Sequence, residues 1–580
     1  MRLHHLLFLP ALLTVGLFQL QAQNATEAQT NGPTLKTTTR AVVVDVLVTG
    51  SGGAPVGGLD QKDFTILEDG KPQTIDFFEQ HGAASAQRSE LPALPPHVYT
   101  NQPAVAPDDA VSVLLLDNLD TEQADQALAR KQLAGFVANL QPGMRVAIYT
   151  LNSRLQLLQG FTADRDLLRA AIDGKAAAPQ RSMHARSRTE ELEDEEAISM
   201  ADNAQAAAAE ARSIREYSDM QQGQQATIAL TALQQLARAL AAIPGRKNLI
   251  WFASTFPVAL FPEGDNRSAL VAFHGHEMPE ALRDTVNLLT AARVALYPVS
   301  ARGSMVDRTM NADSGGQPNG DNFEQNPYKE SPAIRANAAT MEQLATDTGG
   351  QAIYTTNDVS AALSRDVHNS AQYYTLAYTT ANNKTDGTFR RIEVKLAETK
   401  YKMAYRRGYY ADAGSKVATE TVADPLAPLL AEGLPDATQI VYRIRVTPDP
   451  QPAGAPRAGG NPKLSGAVTR YKVEFLIPTE SLKFATSPGG THEAKMRVAM
   501  VGYERDGKPA NWTGGEMKLS LNDASFAKAQ RTGIAAPMEI DLPQADVALA
   551  TGIWDTNAQR AGTLQVTVNP DVDTETPGSH

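Results

Sequence analysis

Three oxygen-bearing side chains stand where one apolar run ends. Asp117, Asp120 and Thr121 close the stretch 111–121, Val-Ser-Val-Leu-Leu-Leu-Asp-Asn-Leu-Asp-Thr. So continuous a run cannot be a half-exposed alternating strand, and it reads as a central parallel strand covered on both faces. In open α/β sheets, sites form just beyond the carboxyl ends of such strands, which puts these oxygens at the edge where ligand chemistry is done. A helix over 122–140 follows, and carboxylates at its start also serve as caps, favoured by exposed N–H groups and the dipole. The residues alone leave both uses open.

Other combinations carry less. His274-Gly275-His276-Glu277 is the tight histidine cluster of the chain; two alternating imidazoles could join a metal site with a distant third ligand, but without a second cluster they read as loop histidines. Arg406-Arg407 beside Tyr405, Tyr409 and Tyr410 could stack on a sugar or hold an anion, and strand-pair packing explains them as well. The acidic run 190–196 reads as a solvated helix face. Gly50 to Gly58 joins strands and opens no helix, so it is a turn. His-Glu-x-x-His, Gly-x-Ser-x-Gly and phosphate-loop patterns do not occur. No nucleophile with a base and an orienting group can be assembled, so the expectation is a non-enzymatic protein.

The elements that must position these residues follow from pattern. Strands are expected at 41–48, 63–67 and 74–78, with Gly70 supplying a hairpin turn, and residues 82–107 have linker composition. Strands and helices then alternate: strands at 145–151, 155–158, 248–253, 294–299 and 352–354, helices to 172, at 225–242, 279–292, 333–346 and 359–369. The fold class is therefore α/β, a doubly wound, mostly parallel sheet. Strands at 373–378, 391–396 and 402–409 are expected to pair with 36–80 into a β-sandwich that the α/β part interrupts, and 437–570 reads as a C-terminal β-sandwich. The expected division is 1–22, a signal peptide; 23–105, a β module and linker; 106–370, the α/β domain with a helical insertion at 175–222; 371–411, the pairing strands; 412–436, a linker; and 437–570.

At 580 residues the chain exceeds one core, and three or four domains are expected. A net charge of -12 offers no general face for nucleic acid. The absence of Cys removes disulfides, thiolate metal sites and thiol catalysis. Arg2, the apolar run from Leu6 to Leu20 and the polar residues after it have the layout of a cleavable secretion signal, so export is expected, to the periplasm, cell envelope or exterior, with no transmembrane segment left after cleavage.

Apolar strand, Asp at its end, a hydroxyl residue four positions on, then a helix: this order resembles a von Willebrand factor type A domain, whose fold is Rossmann-like and whose metal-ion-dependent adhesion site opens with Asp-x-Ser-x-Ser. Residues 161–168 (Phe-Thr-Ala-Asp-Arg-Asp-Leu-Leu), Thr227 ahead of Ala232-Leu233, and 248–257 resemble its later stretches. Residues 58–73, 244–251 and 373–409 are further similar to secreted von Willebrand A-related proteins of acidobacteria.

The resemblance implies a Mg²⁺ or Ca²⁺ ion held by Asp117, Thr121, Asp120, Thr227 and Ser254, its shell completed by an acidic group of a protein ligand. Leu119 replaces the first Ser, and Ser254 with Thr255 stands in place of a later Asp, so the site implied is degenerate and weaker in fixed charge. Two functions follow: an adhesion-type binding protein that meets a protein ligand through this edge, or a structural, envelope-assembly protein whose α/β face is inert and metal-free.

Overall fold

The computed structural model describes residues 41–82, 94–103, 111–121, 123–140, 144–174, 204–243, 245–256, 277–301, 332–354, 358–382, 386–398, 400–411, 424–449, 456–487, 489–505 and 507–569, with 356, 384 and 451 singly. The expected signal segment 1–22, the acidic run 190–196, His274 and His276 lie outside them.

Four strands open the chain: β1 (Ala41–Thr49), β2 (Phe64–Glu68), β3 (Lys71–Gln73) and β4 (Ile75–His81). Asp69 and Gly70 turn β2 into β3 with φ of 48° and 77°, the left-handed pair that a tight hairpin demands. A fifth strand, β5 (Val98–Thr100), falls inside the expected linker 82–107 and corrects it. It pairs with residues 443–445 of the far end of the chain, and its short Val-Tyr-Thr run gives no periodicity to read.

The α/β layer is built from β6 (Val111–Asp117), α1 (Gln123–Ala138), β7 (Arg145–Leu151), β8 (Leu155–Thr162), α2 (Arg165–Asp173), α3 (Ala204–Leu240), β9 (Lys247–Ala253), α4 (Glu277–Ala291), β10 (Val294–Ser300), α5 (Pro332–Thr348) and α6 (Val359–Asn369). The strands lie in the order β10-β9-β6-β7-β8, parallel except for the antiparallel edge strand β8. All seven residues of β6 are buried because both faces are covered. Val111, Val113 and Leu115 pack with α3, α4 and α5, whereas Leu114 and Leu116 pack with α1, α2 and α6. The short strand expected at 352–354 is a single bridge, Ile353 to Val299.

The expected helical insertion at 175–222 is helical over its described residues 204–222, but it is not separate from the helix expected at 225: α3 runs unbroken through 37 residues, Gly223 included. Gly within a helix costs about 1 kcal/mol against Ala; here Ala226, Ala229, Leu230 and Leu233 bury the helix immediately after it and offset the loss.

The chain then returns with β11 (Tyr373–Thr379), β12 (Phe389–Leu396), β13 (Lys402–Ala404) and β14 (Gly408–Tyr410). β11 inserts between β1 and β4, with Val42 opposite Tyr378 and Leu376 opposite Phe78, while β12 pairs with β2. Two four-stranded sheets result, β13-β1-β11-β4 and β14-β12-β2-β3. Between them Glu68 is buried, accepting hydrogen bonds from the hydroxyls of Tyr378 (2.7 Å), Tyr409 (3.0 Å) and Thr380 (2.6 Å).

The C-terminal sandwich comprises β15 (Arg443–Pro448), β16 (Val468–Ile477), β17 (Ala485–Thr486), β18 (His492–Tyr503), β19 (Pro509–Leu521), β20 (Ile534–Pro543), β21 (Val547–Asp555) and β22 (Arg560–Val568). One sheet reads β20-β16-β15-β5, the other β17-β18-β21-β22 with β19 on β18. Two corrections fall here. Residues 424–436 belong to this sandwich rather than to a linker: Leu426 and Leu430 are buried against Ala499, Ala550 and Trp554, and Asp424 pairs with Arg497 at 2.7 Å. A helix, α7 (Asp523–Thr532), interrupts the strands, capped by the Asn522 side chain on the Ser525 amide and stopped by Gly533 at φ 74°. Thr438 ties this sandwich to the α/β layer, its amide and hydroxyl donating to the carbonyls of Arg238 and Ala239 at the end of α3.

Candidate functional site

The carboxyl end of β6 delivers Asp117 to the edge of the sheet, and the first feature of the site is that this edge is closed. Asp117, Asp120, Thr121 and Ser254 are all buried, as are Leu119, Trp251 and Phe256 around them. Asp117 stands at the strand end, buried rather than open to solvent.

Asp117 accepts at Oδ1 from the amides of Leu119 (2.9 Å) and Asp120 (3.0 Å), turning the chain out of the strand as a helix cap would. Its Oδ2 accepts from the indole Nε1 of Trp251 at 2.8 Å. Trp251 sits on β9 opposite Leu115 of β6, so parallel pairing fixes its height against the strand end. Sequence reasoning passed over it because its distance from Asp117 along the chain hides the contact.

Asp120 lies beside Asp117, and its Oδ2 is buried with no hydrogen-bond partner. Burial, the charge of Asp117 and the hydrogen bond between the two carboxyls together push the Asp120 acid well above the ordinary range. Burial lifts Asp117 to about 6, against the pull of the two amides and the indole. Two carboxylates so close and dry cannot both ionise, so the pair keeps a proton, with Asp120 the acid.

Thr121 and Ser254 meet across the strand ends. The Ser254 amide donates to Thr121 Oγ1 (3.2 Å), and the Ser254 hydroxyl donates to Asp125 in the first turn of α1 (2.8 Å). Thr255 donates to the Asp120 carbonyl through both amide and hydroxyl at 3.1 Å. Asn118 joins the edge to β7, its Nδ2 donating to Thr150 and Asn152 at 3.1 Å each, and Asn337 of α5 accepts from the Phe256 amide at 2.7 Å. Asp125 had a sequence signal, an acid in the first turn of the helix that follows the strand; Asn118 and Asn337 had none.

Thr227 does not join this group. It lies on an exposed face of α3, and its hydroxyl donates to the Gly223 carbonyl one turn back at 2.9 Å. α3 continues through Gly223, so Thr227 lies within this helix.

The donor set fits a Mg²⁺ or Ca²⁺ ion poorly, since such ions call for about six oxygens or more. Both Asp117 oxygens face N–H donors, Leu119 offers no oxygen, Thr121 Oγ1 accepts the Ser254 amide and Thr227 bonds within its own helix. What remains for a cation is Asp120 Oδ2 and the Ser254 hydroxyl oxygen, whose proton goes to Asp125. Among the described residues no group of three or more acidic, His or Cys side chains has metal-holding geometry.

No family model matches the chain, and no curated relative does. Solved structures similar to it include an aerotolerance-related membrane protein from Bacteroides fragilis NCTC 9343 (12% identity, 44% of this chain and 98% of that one, TM-score 0.23). A von Willebrand factor type A structure from Catenulispora acidiphila is 9% identical over 52% of this chain and 66% of its own, with a TM-score of 0.23. The pilus adhesin SpaC from Lactobacillus rhamnosus GG is 8% identical over 91% of this chain and 59% of its own, at 0.26. TM-scores this low assign no family. The chain is a mixed α/β protein with several antiparallel sheets and one mostly parallel sheet, and among its described residues no helix is long and apolar enough to cross a membrane.

Proposed function

We propose that this chain is an exported, non-enzymatic protein of the adhesion or assembly type, whose von Willebrand A-like layer is a metal-independent core carried between two β-sandwiches. The observation that supports it is the saturation of Asp117. The residue that would open an ion site is instead bonded to Leu119, Asp120 and Trp251, which makes the strand end a structural joint. The ties of Thr438 to α3 and of β5 to β15 support a body in which the α/β layer serves to hold the sandwiches, leaving contact with a protein partner to their surfaces. Export rests on the leader-like residues 2–24.

A second reading keeps an ion-dependent face, and one observation favours it: the partnerless Asp120 Oδ2. Calorimetric titration of Mg²⁺ and Ca²⁺ into the full chain separates the two. The metal-independent reading expects no saturable heat and an unfolding midpoint indifferent to chelator. Saturable heat that disappears in Asp120→Asn would establish the ion-dependent face instead. Crosslinking in isolated cell envelopes then tests for the protein partner.

A further inference from the structure

A lysine is buried where the α/β layer meets both β-sandwiches. Lys247 opens β9 at the amino-terminal edge of the parallel sheet and is 1% exposed. Opposite it on the neighbouring strands stand Val111 of β6 and Val294 of β10, so those strands offer it no polar side chain. Its amide donates to the Arg293 carbonyl at 2.9 Å, and its Nζ donates to the Ile243 carbonyl at 2.6 Å, just past the end of α3.

Each of those contacts leads to a different sandwich. Arg293 reaches the first: its Nε and Nη2 donate to Asp45 of β1 at 3.0 and 2.5 Å, and Nη2 also donates to the Thr375 hydroxyl of β11 at 2.8 Å. The end of α3 is gripped by the C-terminal sandwich. The Thr438 amide donates to the Arg238 carbonyl at 2.9 Å, and the Thr438 hydroxyl oxygen accepts from the amide of Ala242, next to Ile243, at 3.1 Å. Lys247 therefore bonds to both joints at once.

An ammonium carries three protons, and among the described residues this Nζ has one acceptor, a neutral carbonyl. Two charged side chains act on it from further off: Arg293, of like sign, and Asp45, of opposite sign but already bridged by Arg293. Its neighbour Arg246 donates instead to the Gly349 carbonyl and the Tyr297 hydroxyl, and Arg238 of α3 is drawn to Asp284 of α4. A charge buried with so little to hold it is costly, whereas a neutral amine keeps an N–H for Ile243 at no such cost. Burial, with the charge of Arg293, accordingly draws the Lys247 amine down to about 7 from 10.5.

We propose that Lys247 is a proton-operated lock on both joints: packed, it holds the Ile243 carbonyl as a neutral amine, and it takes up a proton whenever the joints open to water. Between about 7, the packed value, and 10.5, the open one, the open form binds more protons than the packed form. Opening therefore becomes about tenfold rarer for each unit that the pH rises in that window, and does not respond to pH below it. The acid pair at the other edge of the sheet works in the reverse sense, losing stability as pH rises, and this inference is independent of the function proposed there.

Amide hydrogen exchange of the full chain from about pH 6 to 9, corrected for the intrinsic effect of pH on exchange, tests the lock. At the amides of Lys247 and Thr438 the opening frequency should be level up to about pH 7 and then fall about tenfold per unit. Lys247→Met, which keeps the bulk without the amine, should stay level throughout. So should Lys247→Gln, which keeps an N–H donor but takes up no proton. A frequency that does not fall above neutrality in the unsubstituted chain overturns the proposal. A fall that persists in either variant overturns it too, because another group then takes the proton, as does a fall at Lys247 with Thr438 level. The position and sign of the bend in the unsubstituted chain decide the matter even if neither variant folds.

Discussion

The indole of Trp251 donates to Asp117 Oδ2 at 2.8 Å, from the strand next to the one that Asp117 ends. This single bond takes the carboxylate oxygen that a cation would need. It also completes the shell of a carboxyl whose other oxygen already accepts two backbone amides.

Trp251→Phe keeps most of the ring in its buried place and removes only the N–H. The Asp117 oxygen would then lack its donor in a dry site, a loss of about 1–3 kcal/mol. Urea unfolding should show that loss in the midpoint, with an unchanged slope. The same variant discriminates between the two functions: a midpoint restored by millimolar Mg²⁺ would show that the indole had been displacing an ion, whereas the proposed reading expects no restoration.

The acid pair makes stability depend on pH. Burial holds the Asp117 carboxyl at about 6 in the folded chain against 3.8 ordinarily, and Asp120 higher still. Between those values the folded protein binds protons that the unfolded chain has released. Stability is therefore fullest below about pH 4 as far as this pair is concerned, and falls as pH rises through about 6. Asp120→Asn mimics the protonated partner and removes the carboxyl that the folded chain must keep protonated while the unfolded chain releases its proton. Its stability should decline less between pH 4 and 7, leaving it about 1–3 kcal/mol more stable than the parent at neutrality. Equal slopes in the two proteins would show that the carboxyls do not share a proton.

Much of this edge could be read in advance, and the parts that could not have a common cause. The run 111–116 announced a strand covered on both sides, and Asp117 and Thr121 stand at its end beside Ser254. What closes the site does not announce itself, because Trp251 and Asn337 reach it from other strands and helices with no local spacing to betray them. The start of this helix was misplaced by continuity: Gly223 and the glutamines around it suggest a boundary, but packing of Ala226 to Leu233 carries the helix across. The helix at 523–532 did leave a signal, Asn522 as a cap and Gly533 as a stop, outweighed by the strands on either side. Residues 98–100 had no comparable mark, since three residues cannot show a period.

Glu68 holds the first sandwich from inside. Its two oxygens serve three hydroxyls, those of Tyr378, Tyr409 and Thr380, which come from β11, β14 and the turn after β11. Glu68→Gln keeps the shape but replaces one acceptor with a donor that faces hydroxyl protons, at a cost of about 1–3 kcal/mol. Tyr409→Phe should cost about 1 kcal/mol, and combining it with Glu68→Gln should cost less than the sum because the two share one network. Additive losses in chemical unfolding would show that the hydroxyl and the carboxylate act separately.

Asn101 bears on how the chain is put together, because it fastens β5 into a sandwich formed otherwise by residues after 423. It is buried, donating through Nδ2 to the carbonyls of Ala437 (2.9 Å) and Ile440 (2.8 Å) and accepting from the Tyr442 amide (2.9 Å). Asn101→Ala strands three buried backbone groups at once, for an expected loss of roughly 3 kcal/mol or more. Asn101→Asp cannot rescue it: a carboxylate still accepts from Tyr442 but has no proton for either carbonyl and brings a charge into a dry place. Amide hydrogen exchange should localise the damage. The ladder between β5 and β15, where Arg443 faces Thr100 and Arg445 faces Val98, should lose protection. The ten-residue ladder between β16 and β20 should keep it, and unaltered protection along β15 would show that Asn101 is not what holds the early strand in place.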